Sequence, residues 1–176
     1  MKYTDRLMFK TPNQEDFQRY FEINADPQTN LYNPYGAMSF EKAKSTFDAL
    51  TDHWREHQFG FWAISEKENP DWVIGFGGLN YRLYGHVVKL NLGYRIDKDF
   101  WNKGYATEIG MHTIQYGFEE LGQNQIFAVV RPDNLASIKV LEKCGLELFD
   151  ELNDIPNQKN SLIFKIQKNI DNSGQP

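Results

Sequence analysis

The residues with the clearest chemical potential lie between Trp101 and Ala106, just before a predicted helix. A glycine and a small residue at a helix start leave several backbone N–H groups without a partner inside the helix. Together with the positive end of the helix dipole, those groups form a site for a diphosphate. Gly104 permits close approach to the backbone, and Lys103 adds a point charge. The alternative is that Gly104 only shapes a strand-to-helix turn, because a short glycine signal is weak.

A second candidate pair, Asn134 and Ser137, lies at the start of a later predicted helix. Both are residue types that cap helix N-termini, so on these residues alone capping is the favoured interpretation. The single cysteine, Cys144, excludes an internal disulfide and a cysteine-cluster metal site. We interpret Cys144 as a small buried apolar side chain and not as a nucleophile.

The elements that must position these residues follow from the hydrophobic periodicity. The pattern predicts the order β-α-α-β-β-β-α-β-α-β-β, which is an α+β fold. Its central sheet would be mixed but mostly antiparallel, with helices on both faces. The predicted strands are Arg6–Phe9, Phe61–Ile64, Trp72–Tyr81 after a turn at Asn69–Asp71, Val88–Asp97, Ile126–Val130, Leu146–Phe149 and Leu162–Lys168.

Four helices are predicted between these strands. The first begins after Asn13, the third runs from Gly104 to about Leu121, and the last from about Asn134 to Lys143. The buried stripe of the second helix, capped by Ser39, is predicted as Phe40, Ala43, Phe47, Leu50 and Trp54. The buried stripe of the third helix is predicted as Met111, Ile114, Phe118 and Leu121.

Length and composition predict one folded domain over residues 1–168 and a flexible polar tail over residues 169–176. The net charge of -5 argues against a nucleic-acid or anionic-lipid partner. The N-terminus lacks the apolar core of a signal peptide, and no apolar run approaches the roughly 18 residues of a membrane span. We therefore expect a soluble, cytoplasmic protein, either a monomer or a homodimer.

Three segments of the sequence carry a family resemblance: Gly93–Ile96, Phe100–Glu108 and Asn134–Gly145. Together they resemble the GNAT superfamily of N-acetyltransferases. Within it, they are similar to the branch that contains the RimJ and RimL ribosomal-protein N-terminal acetyltransferases. The element order agrees with that family from Arg6 to about Lys168.

The resemblance implies a GNAT fold with a V-shaped splay between two parallel strands and a site for acetyl-CoA as co-substrate, with no metal. Backbone groups of Tyr94 and Ile96 would pair with the pantetheine arm. The Asn134 side chain would bind the pantetheine, and Ser137 would lie near the thioester sulfur or the arm. The pyrophosphate would bind the loop made of Trp101, Asn102, Lys103, Gly104, Tyr105 and Ala106.

Three positions depart from the family pattern. Trp101 stands where Gln or Arg often begins the phosphate motif, although tryptophan is common there in the RimJ/RimL-like branch. Leu141 replaces a tyrosine that protonates the leaving thiolate in many relatives, so Ser137, Tyr94, Tyr105 or water would have to serve. Asn91 replaces a glutamate that acts as a base through water.

The missing base bears on the acceptor. At pH 7 a lysine-type amine costs about 4 to 5 kcal/mol to deprotonate, whereas an α-amine costs about 1 kcal/mol. A site with Asn91 at the base position therefore suits an α-amino group. Four side chains could replace the base, but each is better explained as exposed or helix-stabilising: Glu108, His86, His112 and Glu147.

The acceptor side of the cleft is expected around the first two helices and the loop that joins them. Tyr32 and Tyr35 of that loop are candidate acceptor contacts, with loop packing as an equal alternative. The predicted function is acetyl transfer from acetyl-CoA to an amine, by direct attack in a ternary complex. The amine belongs to a protein N-terminus or a small molecule.

Two other classes of function stay open. One is a non-catalytic acyl-CoA-binding sensor or partner-binding module, which Asn91 and Leu141 keep open. The other is an unrelated nucleotide-binding domain, although no lysine-serine or lysine-threonine pair follows Gly104.

Overall fold

The computed structural model describes residues 2–168, which form one open sheet flanked by helices. The predicted tail at 169–176 lies outside the described residues. The strands are β1 (Lys2–Tyr3), β2 (Leu7–Lys10), β3 (Phe61–Glu66), β4 (Asn69–Tyr84), β5 (Val87–Ile96), β6 (Gln125–Val130), β7 (Glu147–Leu152) and β8 (Ser161–Gln167). The helices are α1 (Phe17–Ala25), α2 (Phe40–His57), α3 (Tyr105–Glu119) and α4 (Leu135–Lys143).

The strand order across the sheet is β1-β2-β3-β4-β5-β6-β8-β7. Every neighbouring pair is antiparallel except β5 and β6, which are parallel and share one registered pair, Asn91 with Phe127. The predicted mixed sheet with a splay between two parallel strands is therefore confirmed. The described residues form eight strands, because Lys2–Tyr3 adds a two-residue edge strand too short to show a period.

Strand β4 is longer than predicted and begins before Trp72. Residues Asn69 to Asp71, predicted as a turn, already belong to β4, and the turn lies at Lys67–Glu68. A proline is tolerated at the start of this strand because early positions need not donate to the ladder. Strands β4 and β5 then form a long hairpin that stays paired up to Tyr84 and Val87.

The helices cover both faces of the sheet, as predicted. On one face, Tyr20 of α1 and Phe47 of α2 pack edge-on against Phe76 of β4. The predicted α2 stripe is correct for Ala43 and Phe47, which are fully buried. Phe40, the first residue of the helix, is 51% exposed and packs edge-on against Phe17 and Phe21 of α1.

The buried face of α3 differs from the prediction. Met111 is 52% exposed, whereas Ile109 and Ile114 are buried. The reason is that α3 packs on its small residues. A Cβ at Gly110 would lie 2.6 Å from the sulfur of Cys144, and one at Gly117 would lie 2.7 Å from a methyl carbon of a β6 isoleucine. Close approach at these glycines rotates Met111 towards solvent.

None of the helices formed by residues 2–168 is long and apolar enough to span a membrane. Cys144 is buried, as predicted, and burial raises the pKa of its thiol to about 11. Over the same residues, no group of three His, Cys, Asp or Glu side chains is arranged to hold a metal ion. The metal-free reaction remains a prediction from the resemblance.

His112 gives the core a pH-dependent stability. Its ring packs on Phe9 at 4.3 Å between centroids, and its buried Nε2 has no partner among the described residues. Burial and the nearby Lys2 charge lower the pKa of His112, against the opposing effect of Glu120. Below the unfolded pKa of about 6.5, the unfolded chain therefore binds a proton that the folded chain does not. The folded state loses stability as the pH decreases below that pKa.

We expect the His112→Phe variant to lose less thermal stability than the natural protein when the pH falls from about 7.5 to about 5.5. Phenylalanine fills the same aromatic site without a titrating nitrogen. The measurement is Tm by differential scanning calorimetry at both pH values, with exposed His86→Gln as the control. An equal fall in Tm for His112→Phe and the natural protein would contradict the assignment.

Candidate active site

The candidate site begins where β5 and β6 separate. Past the Asn91–Phe127 pair, β5 continues to Ile96 without a registered partner on the β6 side. Its other edge stays paired to β4 throughout, from Gly93 opposite Gly78 to Ile96 opposite Gly75. The stretch around Tyr94 therefore presents one backbone edge to the open cleft, in the position predicted for the pantetheine arm.

The loop before α3 has the geometry of an anion site. Gly104 is the N-cap with φ of 81°, and no side chain caps the helix. The N–H groups of Tyr105, Ala106 and Thr107 have no acceptor among residues 2–168, since the first bond of the helix is Glu108 N–H to Gly104 O. A Cβ at Gly104 would meet only an arginine nitrogen at 3.5 Å. These N–H groups are thus open to a ligand.

The remaining loop residues divide by role. Trp101 to Gly104 are exposed, and the indole N–H of Trp101 donates to the carbonyl of Ile96 at 2.9 Å, which ties the loop to the end of β5. Asn102 takes a left-handed φ of 61°. The Lys103 ammonium lies over the Phe100 ring without an ion-pair partner in the described chain. Trp101 therefore shapes the loop, while Lys103 keeps its charge available.

The Tyr105 side chain points away from the cleft. Its hydroxyl donates to Glu66 on β3, and the Arg6 guanidinium lies 4.5 Å above its ring. The hydrogen bond to Glu66 raises the pKa of Tyr105 to about 12. Of the possible proton donors, Tyr105 is therefore not placed at the cleft.

The start of α4 brings Asn134 and Ser137 to the cleft. Asn134 Oδ1 accepts from the Ser137 N–H at 3.1 Å, so capping is observed. The cap uses only the oxygen, and the Nδ2 group makes no hydrogen bond within residues 2–168. Capping and cofactor contact are therefore compatible for this side chain.

Tyr94 and Ser137 face each other across the cleft. The Tyr94 hydroxyl donates to Ser137 Oγ at 3.4 Å. Burial raises the pKa of Tyr94 to about 12, so the phenol keeps its proton at neutral pH. Leu141, which the resemblance places at the position of the proton-donating tyrosine, is buried in the core. The structure thus places a protonated phenol near the site. This phenol belongs to a residue of β5 and not to a residue of α4.

A separate cavity of about 330 Å³ lies on the face of the sheet that α1 and α2 cover. It lies between α1, α2 and the β3–β4 part of the sheet. Its lining residues are Tyr20, Thr46, Ala49, Leu50, His53, Phe61, Asn80 and Tyr81. The ring of Phe61 covers Gly93 of β5, where an added Cβ would lie 2.7 Å from it. The cavity is therefore adjacent to the splay but on the other face of the sheet.

Asn91 is buried and fixed by a chain of hydrogen bonds. The Tyr84 hydroxyl donates to Asn91 Oδ1 at 2.8 Å, and Asn91 Nδ2 donates to Asn80 Oδ1 at 3.0 Å. Burial raises the pKa of Tyr84, which keeps it as the donor. Asn80, the last member of this chain, also lines the cavity. Asn91 is therefore a fixed, uncharged group at the position where the resemblance predicts a glutamate base.

His53 lines the cavity, and the sequence analysis did not identify it. Its Nδ1 lies 2.8 Å from the carbonyl of Phe59, and its Nε2 accepts from the Tyr81 N–H at 3.3 Å. An accepting Nε2 requires the neutral ring with its proton on Nδ1, and burial lowers the pKa of His53. The signal that could have identified His53 is its position, one helical turn before His57 and close to Phe59. The predicted α2 stripe was drawn from apolar residues alone and therefore did not include it.

None of the four substitute bases lies in the cavity. Glu108 pairs with Arg6 at 2.6 Å, and although burial opposes it, hydrogen bonds from Thr4 and Arg6 lower the pKa of Glu108. His112 is in the core. His86 in the β4–β5 turn and Glu147 on edge strand β7 are exposed. These observations agree with the sequence analysis, in which all four are explained as exposed or helix-stabilising residues and not as bases.

The two loop tyrosines predicted as acceptor contacts do not line the cavity. Tyr32 is 40% exposed and Tyr35 is 80% exposed. The loop is held by Asn33, whose side chain donates to the carbonyl of Gly36 at 2.7 Å. Contact of Tyr32 or Tyr35 with an acceptor remains a prediction.

The two roles of Asn134 can be separated by substitution. Asn134→Ser keeps a capping oxygen and should retain stability, whereas Asn134→Ala should cost about 1 kcal/mol. Both variants lose the Nδ2 donor, so both should bind CoA about 2- to 10-fold more weakly, as expected for one lost hydrogen bond. Thermal unfolding and calorimetric titration with CoA measure the two effects. Unchanged CoA affinity in Asn134→Ser would show that Asn134 is only a cap.

Comparison with known proteins agrees with this geometry. A sequence model of the family described as Acetyltransferase (GNAT) domain matches residues 6–147. The Bacillus licheniformis protein p20, described as an uncharacterized N-acetyltransferase, is 31% identical over 164 residues, which cover 92% of this chain and 90% of p20.

Solved structures share the fold. An acetyltransferase from Agrobacterium tumefaciens superimposes with a TM-score of 0.80 at 22% identity, covering 95% of this chain and 94% of that one. A Vibrio cholerae spermidine N-acetyltransferase, solved with CoA and spermine, gives a TM-score of 0.73 at 17% identity, covering 93% and 96%. The chain belongs to the GNAT family of N-acetyltransferases and is an acyltransferase.

Proposed function

We propose that this acyltransferase moves an acetyl group from acetyl-CoA to a primary α-amine by direct attack in a ternary complex. The observation that carries the proposal is the arrangement of two separate openings on either face of β5. The splay with the uncapped start of α3 suits an acyl-CoA, and the cavity under α1 and α2 suits an acceptor. The spermidine acetyltransferase solved with CoA and spermine supports a two-site arrangement for this fold.

The cofactor side would use the predicted residues. The diphosphate would accept hydrogen bonds from the open N–H groups at the start of α3, with Lys103 as a counter-charge. The pantetheine arm would pair with the free edge of β5 at Tyr94 and Ile96, as an added strand does. The Nδ2 group of Asn134 would donate to the same arm.

Chemistry would proceed by attack of the neutral amine on the thioester carbonyl. Backbone N–H donors at the splay would stabilise the oxyanion that forms. When the C–S bond breaks, the leaving thiolate needs a proton, and the Tyr94 hydroxyl next to Ser137 is the donor that the geometry favours. Ser137 would orient that phenol. The lost amine proton would pass to water, since no ionised carboxylate lines the cavity among the described residues.

The lack of a base supports an α-amine as the acceptor. His53 is engaged at both nitrogens, and the Asn91 amide does not accept a proton at neutral pH. The site would rely on the fraction of amine that is already neutral, which is far larger for an α-amine than for a lysine side chain. A RimJ/RimL-like specificity for protein N-termini is one form of this proposal, and a small α-amine is another.

The test is CoA release from acetyl-CoA by the purified protein over a panel of amines and short peptides. We expect kcat/KM for α-amines to rise about tenfold per pH unit until the amine pKa near 8 is reached. Side-chain amines should react much more slowly at neutral pH. Tight CoA binding without turnover on any amine would favour the non-catalytic CoA-binding module.

Tyr94→Phe should lower kcat by at least about 10-fold, because the phenyl ring keeps the packing and loses the proton donor. KM for acetyl-CoA should change little. Ser137→Ala is the matched variant, with a smaller loss expected because water can still orient the phenol. Equal kcat for Tyr94→Phe and the natural enzyme would assign the proton to water.

A further inference from the structure

Arg95 occupies a distinctive position on the acceptor face of β5. It lies two residues beyond Gly93 and four beyond Asn91, so all three side-chain positions share one face of the strand. Its cross-strand neighbour is Phe76, on which Tyr20 of the cavity wall packs. Arg95 is only partly exposed.

The guanidinium of Arg95 is held by neutral groups alone. Its Nη1 donates to the carbonyl of Thr29 at 3.1 Å and to Oδ1 of Asn30. No carboxylate lies within ion-pair distance of it in residues 2–168. Its Nη2 and Nε make no hydrogen bond to the same residues.

The neighbouring carboxylates are already used by other cations. Arg19 pairs with both Asp97 and Glu22, each at 2.6 Å. Lys98 pairs with Asp26 at 2.7 Å. Arg95 is therefore a largely desolvated cation whose charge no nearby side chain balances, which is costly unless an anion joins it.

The cavity on the same face of the sheet, whose wall includes Tyr20 but not Arg95, favours the same kind of ligand. None of its eight lining residues is acidic, so a polyamine would find no counter-charge in it. Burial lowers the pKa of Arg95, yet a guanidinium stays protonated at neutral pH. Its two free donor positions match a carboxylate, which pairs with arginine in a forked geometry. Along the strand, Arg95 is about 7 Å from Gly93, within the length of a small acceptor.

We propose that the acceptor is an amine that also carries a carboxylate, and that Arg95 binds this carboxylate while the amine faces the splay. The inference rests on the proposed acetyl transfer and narrows its substrate class. The carboxylate belongs either to a free amino acid or to an acidic side chain at a peptide N-terminus. Both offer the same anion, so the experiment includes each.

The experiment compares acceptors that differ only in charge. We would measure CoA release with the dipeptide amides Glu-Ala and Gln-Ala, with free glutamate, and with spermidine. KM for Glu-Ala amide should be at least about 10-fold below KM for Gln-Ala amide, because one charge-assisted pair increases affinity by about that factor. Arg95→Met should reduce this ratio to about 1. Arg55→Met, an exposed arginine on α2, is the matched control and should keep the ratio.

A direct binding measurement separates this inference from the proposed function. Calorimetric titration of the CoA-loaded protein with Glu-Ala amide and Gln-Ala amide requires no turnover. Binding of the acidic peptide to the natural protein and not to Arg95→Met would support the carboxylate site even if no amine were acetylated. Equal affinity for the two peptides, or a preference that survives in Arg95→Met, would overturn it. A faster reaction of free glutamate than of the peptide would identify the amino acid as the source.

Discussion

The separation of β5 from β6 is the constraint on which the rest of the site depends. Parallel strands normally bond along their length, and a backbone edge left open inside a protein must find another partner. Here the pairing stops at Asn91 and Phe127. The edge beyond that point belongs to a strand whose other edge is fully bonded to β4. This open edge is therefore held rigidly and has no neighbouring strand to bond with. A ligand that carries its own amides fits that edge without any rearrangement of the sheet.

The helices on the α3 side keep this cleft open and furnish its ends. Gly110 lets α3 pack directly on Cys144 at the end of α4, so the two helices are fixed to each other. Their N-termini consequently stand at defined places along one groove. The open N–H groups before Glu108 lie at one place, and the Asn134 cap lies at another. The same contact agrees with the interpretation of Cys144 as a small buried packing residue.

Local signals in the sequence were enough to predict much of this arrangement. Element order, the Asn134 cap and the loop at Gly104 depend on residues close together in the chain, where turn chemistry and capping are read directly. The exposure of Met111 was predicted wrongly, because helix rotation depends on how closely Gly110 approaches a distant residue. His53 was missed for a related reason, since its two partners become neighbours only after the sheet and α2 have packed.

Charge balance was the least predictable property of the site. Asp97 lies only two residues after Arg95, which in an extended strand is the same face. In the structure, however, Asp97 pairs with Arg19 of α1, and Arg95 has no ion-pair partner among residues 2–168. Which cation is neutralised is thus decided by α1, which is distant from β5 in the sequence.

The hydrogen-bonded chain from Tyr84 through Asn91 to Asn80 has a consequence for how this site can change through evolution. A glutamate at position 91 would bring a longer side chain into a place that is only 5% exposed. It would accept from Tyr84 but would face the oxygen of Asn80, leaving a buried charge beside an acceptor instead of a donor. Asn80 would have to reverse its amide to offer a donor. Positions 80, 84 and 91 therefore form one hydrogen-bonded unit, in which a substitution at position 91 changes what its two partners must donate or accept.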